Sequence, residues 1–123
     1  MIFKRKVQTE LPISELNQRF IDLLMNTNIR FTPKVKQLKT LLEAGADINA
    51  PHSYAGFEIN ALTALAGWGD DLHRPLKLAE WLIKHGAKIE CYGRSAFLWA
   101  IWENKLDFIK LYADKGADLL FEE

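Results

Sequence analysis

The amino-acid sequence predicts an all-α fold, a stack of helix pairs in which each pair ends at a glycine. Three observations support this prediction. A helix-ending segment recurs along the chain, apolar residues between its copies recur at helical spacing, and residues that cap helices precede three of the predicted helices. The 123 residues suit one domain, and nothing in the composition suggests a second.

The recurring segment spans residues 41–49, 82–90 and, in a shorter form, 112–119. The glycines of the three copies are Gly45, Gly86 and Gly116, so the periods are 41 and 30 residues. Glycine readily takes the left-handed conformation that closes a helix C-terminus. Periods of this length predict a solenoid of supersecondary units, none of which buries its apolar face alone.

The first predicted helix has one apolar face and one polar face. The apolar face consists of Leu16, Phe20, Leu23 and Leu24. Thr32 and Pro33 follow, and they are typical of an N-cap and a first helical residue.

The second predicted helix directs four apolar side chains inward, namely Val35, Leu38, Leu41 and Leu42. Its lysines are expected outward, on a solvated face: Lys34, Lys36 and Lys39.

Two further helix pairs are predicted at residues 61–69 with 76–85 and at residues 96–104 with 106–115. A long turn-like segment at residues 52–60 and a short one at residues 90–94 join the pairs. Strand content is therefore expected to be slight.

These features resemble the ankyrin repeat. Residues 41–49 match the repeat's Leu-Leu-x-x-Gly-Ala-Asp-x-Asn ending almost letter for letter. Residues 60–63 and 95–98 stand where the family has Thr-Pro-Leu-His, but both lack the histidine. Asn60 and Ser95 can still cap a helix with a side-chain oxygen.

The resemblance implies an ankyrin-repeat solenoid with unequal loops. Relative to the family's repeat, the first finger loop gains three residues and the second loses three. Five extra residues lie around residues 70–75. We therefore divide the single domain of residues 1–123 into an N-terminal segment with the first helix (1–33), a first repeat's second helix and long finger (34–59), a second repeat (60–94) and a third repeat (95–123).

Ankyrin-like stacks bind partners through finger tips and the concave face of the inner helices, so the resemblance directs attention to residues there. Ala64 and Trp68 are expected on the exposed side of one inner helix, and Trp99 and Glu103 at the matching places of the next. Trp102 is expected close to the same face. Tryptophan is enriched at binding hot spots, although these rings could instead fill gaps in the packing. Trp81 aligns with a core position, which favours a structural role.

The finger loops supply four more candidates for partner binding: Tyr54, Phe57, Tyr92 and Arg94. Loops held by a rigid scaffold often carry recognition. Phe57 could instead form a local core under its loop, and Tyr92 and Arg94 could simply be solvated.

A catalytic or metal-binding function has little support in the sequence. Asp70, Asp71 and His73 cluster in one loop, but no recognised ligand spacing accompanies them, which favours a solvated turn. Cys91 and His85 lack the third group and oxyanion site that nucleophilic catalysis needs. No glycine-rich phosphate loop follows a strand, so neither a cofactor nor an enzymatic activity is expected.

Charge and composition bear on partners and location. Sixteen basic and sixteen acidic residues cancel, which argues against nucleic acid or a membrane as the partner. The basic run at residues 4–6 precedes no long apolar stretch, so no signal peptide is expected. The single cysteine excludes an internal disulfide and, with the other features, favours the cytoplasm.

The sequence thus predicts a module that binds one protein partner. Small ankyrin-like proteins include bacterial immunity proteins that block a toxin, and the resemblance suggests an inhibitor of this kind. The alternatives are a self-associating structural or adaptor protein and, third, a metal-dependent enzyme using the loop of Asp70, Asp71 and His73.

Overall fold

The computed structural model describes residues 11–54, 56–69, 71–91 and 94–116, apart from the side chains of Tyr54, Phe57, Cys91 and Arg94. Over these ranges the protein is mostly helical and contains very little strand. The prediction of an all-α protein is confirmed at this level.

The described residues form six helices and two short hairpins. The helices are α1 (Ile13–Leu24), α2 (Phe31–Ala44), α3 (Ala61–Trp68), α4 (Pro75–Lys84), α5 (Ala96–Trp102) and α6 (Leu106–Asp114). The first hairpin joins β1 (His52–Tyr54) to β2 (Phe57–Ile59), and the second joins β3 (Glu90–Cys91) to β4 (Arg94–Ser95). Both are antiparallel, with His52 opposite Ile59 and Glu90 opposite Ser95.

The helices pack as three successive pairs, α1 with α2, α3 with α4 and α5 with α6. Contacts between pairs run from α3 to α5, from α2 to α4 and from α4 to α6. We call α1, α3 and α5 the inner helices and α2, α4 and α6 the outer helices. Leucines from every pair meet in one core, including Leu24, Leu38, Leu62, Leu82 and Leu111.

Two of the three predicted N-caps, Asn60 and Ser95, are confirmed at atomic detail. The Asn60 side chain accepts a hydrogen bond from the Thr63 N–H at 2.9 Å, and Ser95 Oγ accepts one from the Leu98 N–H at 3.3 Å. Each side chain therefore satisfies a donor that the first turn leaves unpaired.

The three glycines predicted to end helices all have positive φ angles: 119° at Gly45, 106° at Gly86 and 91° at Gly116. At two of these helix ends, the residue after the glycine donates its N–H to a carbonyl of the helix. Ala46 N–H donates to the Leu41 carbonyl at 3.0 Å, and Ala87 N–H donates to the Leu82 carbonyl at 2.9 Å. This is the hydrogen-bond pattern of a Schellman ending.

The predicted start of α2 was wrong by two residues. The helix begins at Phe31, with Arg30 as its N-cap, and Thr32 and Pro33 both lie inside the first turn. Proline is tolerated there because the N–H groups of a first turn have no partner within the helix. Phe31 is partly buried against the core, and the Arg74 guanidinium lies 5.6 Å from its ring centre. These tertiary contacts favour the two additional residues at the helix N-terminus.

The expectation that Lys34 faces solvent was also wrong. Its side chain is 0% exposed, and Nζ donates to the carbonyl oxygens of Leu24 and Asn26 at 2.7 Å each. These carbonyls lie at the C-terminal end of α1, where helix carbonyls lack partners and a cation is favoured. Burial lowers the pKa of Lys34, while the two acceptors compensate the buried ammonium. Lys36 and Lys39 are exposed, as predicted.

Two asparagine side chains bond to the turns after the outer helices, one within the first pair and one between successive pairs. Asn17 Oδ1 accepts from the Asp47 N–H at 2.7 Å, which ties α1 to the turn after α2. Asn49 donates to the Gly86 carbonyl at 3.1 Å and accepts from the Lys88 N–H at 2.8 Å, which ties this turn to the one after α4. An amide supplies both a donor and an acceptor, so Asn49 sets the register between the two turns.

We expect Lys34→Met to lower the free energy of unfolding by about 1–3 kcal/mol, because the carbonyls of Leu24 and Asn26 lose their charged donor. Methionine keeps most of the side-chain volume, so the change tests the hydrogen bonds more than the packing. Urea denaturation would measure the change, and Lys36→Met, at an exposed position of the same helix, should shift it by less than about 0.5 kcal/mol. An unchanged or raised stability would mean that the desolvation cost of the ammonium cancels its hydrogen bonds.

Candidate functional site

Three tryptophan rings form a continuous row from the end of α3 across the middle of α5 to the end of α5. Ring centres of Trp68 and Trp99 lie 5.4 Å apart, and those of Trp99 and Trp102 lie 5.8 Å apart. Both pairs are tilted, at 42° and 51°, within the separations that favourable aromatic pairs adopt. We call Trp68, Trp99 and Trp102 the tryptophan row. The structure therefore brings together three residues that the sequence had indicated for partner binding.

We expected Trp99 on the exposed side of its helix, and this prediction was wrong: the residue is only 6% exposed. Its indole lies against Gly67 of α3, where a Cβ added to the glycine would stand 2.5 Å from the indole nitrogen. The same correction applies to Ala64, which is 2% exposed. The side of the inner helices that was expected to face a groove is partly the side through which α3 and α5 contact each other.

Trp102 forms the exposed end of the row, with 67% of its surface accessible. Trp68 at the other end is partly buried, and Glu103, which ends α5, is exposed. Ile101 and Leu106, near Trp102 in the chain, are also exposed. Large patches of exposed apolar side chains often mark interaction sites. Whether Trp68, Trp102 and Glu103 bind a partner stays a prediction.

A cleft of about 240 Å³ adjoins Trp68 and lies between α1, the first hairpin and α3. Its apolar wall is formed by Ile21, Met25, Ile59, Ala64 and Trp68. Its polar rim is formed by Gln18, Asp22, His52 and Ser53. This combination suits the capture of an apolar group with polar groups to orient it. We call it the α1–hairpin cleft.

His52 is a rim residue that the sequence alone did not single out. Burial lowers the pKa of His52, and the nearby carboxylates of Asp22 and Asp47 oppose this effect only in part. The imidazole is therefore neutral at neutral pH and does not offset the charge of Asp22. The only signal in the sequence was its place at the start of the long finger.

The four finger candidates are only partly described. The backbones of Tyr54 and Phe57 face each other at the end of the first hairpin, and that of Arg94 belongs to the second. Their side chains, and Tyr92 altogether, lie outside the described residues. Their roles in binding remain predictions.

The sequence analysis also weighed Asp71, His73 and His85 for metal binding or catalysis, and all three are exposed in the structure. No group of three or more His, Cys, Asp or Glu side chains there is arranged to hold a metal ion. Asp71 and His73 are exposed, as a solvated turn requires, whereas Asp70 lies outside the described residues. His85 stacks on Trp81 with ring centres 4.1 Å apart.

The described helices include none that is long and apolar enough to cross a bilayer. No protein-family model and no curated protein matches the sequence. The candidate site therefore rests on the geometry of the tryptophan row and the α1–hairpin cleft.

We expect overpacking against Trp99 in Gly67→Ala to lower the free energy of unfolding by about 1–3 kcal/mol. The higher helix propensity of alanine should offset up to about 1 kcal/mol of this loss. Chemical denaturation and tryptophan emission would measure the loss and the displacement of the ring. In a Trp99→Ala background the same glycine change should cost nothing, which is the control. A Gly67→Ala protein more stable than the wild type would contradict the close contact.

We expect the free energy of unfolding to fall as the pH drops below about 6.5, in part because of His52. Burial lowers the pKa of His52 in the folded state, so the unfolded chain becomes protonated at a higher pH than the folded chain. Protonation therefore stabilises the unfolded chain relative to the folded one as the pH falls. His52→Gln should flatten this dependence between about pH 5 and pH 7. His73→Gln, at an exposed histidine, provides the comparison, and an identical slope in wild type and His52→Gln would refute the assignment.

Proposed function

We propose that this chain is a protein-binding module built as a short ankyrin-type stack. Its binding surface consists of the exposed end of the tryptophan row, the α1–hairpin cleft and the first hairpin. The observation that carries the proposal is Trp102, a 67% exposed indole next to two further tryptophans. Rings of this size dominate binding energy when a partner covers them.

Equivalent local geometry at equivalent positions supports the ankyrin-type stack. Gly45 and Gly86 end the first two outer helices with the same backbone hydrogen bonds, and Asn60 and Ser95 cap the inner helices α3 and α5 in the same way. Asn49, the last residue of the motif that resembles the ankyrin ending, bonds to the backbone of the following turn. A short hairpin precedes each of these capped inner helices, where finger loops of the family would stand.

The finer proposal is that binding neutralises the partner, as small ankyrin-like immunity proteins do with their toxins. Two features favour a tight contact over a passing one. Trp99 packs on Gly67 and Trp102 packs on Trp99, so the exposed ring already has a contact that restricts it before a partner covers it. The cleft beside Trp68 lengthens this surface along the inner helices.

Self-association is the second candidate, and one observation favours it. Ile101, Trp102 and Leu106 are exposed together near the α5–α6 turn, where a second copy could cover them. Sedimentation at micromolar concentration separates the two functions, because a strict monomer excludes self-association.

We expect Trp102→Ala to weaken binding of the natural partner about thirtyfold, which corresponds to the roughly 2 kcal/mol lost at a hot spot. Affinity capture from the native host with mass spectrometry would identify the partner, and titration of the purified pair would give the affinities. Ile13→Ala removes an exposed apolar side chain from α1 and should leave binding unchanged. Equal capture by all three proteins, or capture of no partner by the wild type, would refute the proposed function.

A further inference from the structure

Among the described residues, the exposed charges are divided unevenly between the inner and the outer helices. The inner helices with their C-terminal caps and the first hairpin carry four exposed carboxylates, those of Glu15, Asp22, Glu58 and Glu103. Their only lysine or arginine is Arg19, which is bound to Glu15 at 3.0 Å. The described outer helices instead carry five exposed lysines, at 36, 39, 77, 84 and 110, which balance the four exposed carboxylates at 43, 80, 107 and 114.

The charged groups that the described structure places at the α1–hairpin cleft are carboxylates. Asp22 lies on the rim, and Asp47 is close enough to act on the rim histidine. His52 stays neutral because burial lowers its pKa, so it does not cancel Asp22. A field of one sign over a cleft attracts and orients groups of the opposite sign.

The dimensions of the cleft limit what enters it. At about 240 Å³ it is smaller than the roughly 300–1,000 Å³ of pockets that hold drug-sized molecules. Its wall of Ile21, Met25, Ile59 and Trp68 is apolar. One large aliphatic or aromatic side chain is the group that matches both size and lining, as anchor residues do at interfaces.

We infer that the α1–hairpin cleft takes one large apolar side chain from a basic protein partner, with a neighbouring lysine or arginine of that partner held by Asp22. The inference rests on the proposed protein-binding function and adds the chemistry of the partner. Gln18, which donates to Asp22 at 2.9 Å, keeps the carboxylate in place on the rim. The segment that enters is therefore apolar at its tip and positively charged beside it.

Selection from random heptapeptides displayed on phage tests this chemistry without the natural partner. Against the wild-type protein we expect enrichment of sequences with one Leu, Ile, Phe or Trp within two residues of Lys or Arg. Ser53→Trp and Gln18→Trp fill the cleft from opposite rims, both at exposed positions, and should abolish the enrichment. Circular dichroism and thermal denaturation verify that both variants are folded.

Titration of a selected peptide, followed by tryptophan emission, then measures the role of charge. Asp22→Asn should weaken binding about two- to fivefold, the range of an exposed ion pair, and added salt should remove this difference. Asp107→Asn, on the outer helix α6, is the matched control and should have no effect.

Three outcomes would overturn the inference: no enrichment, enrichment of peptides without basic residues, or equal binding to the filled variants. A wild-type dimer that Ser53→Trp dissociates would also overturn it, because a second copy would then occupy the cleft. The natural partner distinguishes this inference from the proposed function. If Trp102→Ala abolishes its capture but Ser53→Trp and Asp22→Asn do not, the proposed function stands and this inference alone is refuted.

Discussion

The burial of helix α3 is the constraint on which the rest of the structure depends. Residues 61–66 are all buried, and none is larger than leucine. Small side chains let neighbouring elements approach from several directions: Trp99 lies on Gly67, Ala64 forms part of the cleft wall, and Tyr112 of α6 donates to the Leu62 carbonyl at 3.4 Å. Burial raises the pKa of Tyr112, so the phenol stays neutral and keeps this donor. A larger side chain in α3 would move the core and the candidate site together.

Polar side chains complete what apolar packing begins. Helix ends leave carbonyl and N–H groups without partners, and a stack of short helices has many such ends. Lys34, Asn17 and Asn49 satisfy some of them across element boundaries, and Asn60 and Ser95 satisfy others locally. Each of these bonds is specific in direction: those of Lys34 and Asn17 fix the arrangement within the first pair, and those of Asn49 fix how the first pair sits on the second. Hydrophobic contact alone is not directional and would leave that register loose.

The tryptophan row combines a structural and a surface role in one set of rings. Trp99 is buried in the contact between α3 and α5, whereas Trp102 is largely exposed. The exposed ring contacts the buried one with 5.8 Å between their centres, and such support of a surface side chain from beneath favours its use as a binding anchor. Exposed carboxylates are in excess on the inner helices and the first hairpin, whereas exposed lysines and carboxylates nearly balance on the outer helices, although the full sequence has no net charge.

The sequence by itself determined the helices, their capped and glycine-terminated ends and the low strand content, because these depend on local periodicity and on conformations that few residues adopt. It also indicated the tryptophans that the fold brings together. Only the tertiary structure decided which of them is exposed, that Lys34 is buried, that α2 begins at Phe31 and that His52 and Asp22 share a cleft. Those properties depend on neighbours distant in the chain. Helical spacing identifies a face of a helix, but the packing of α1, α3 and α5 decides what covers that face.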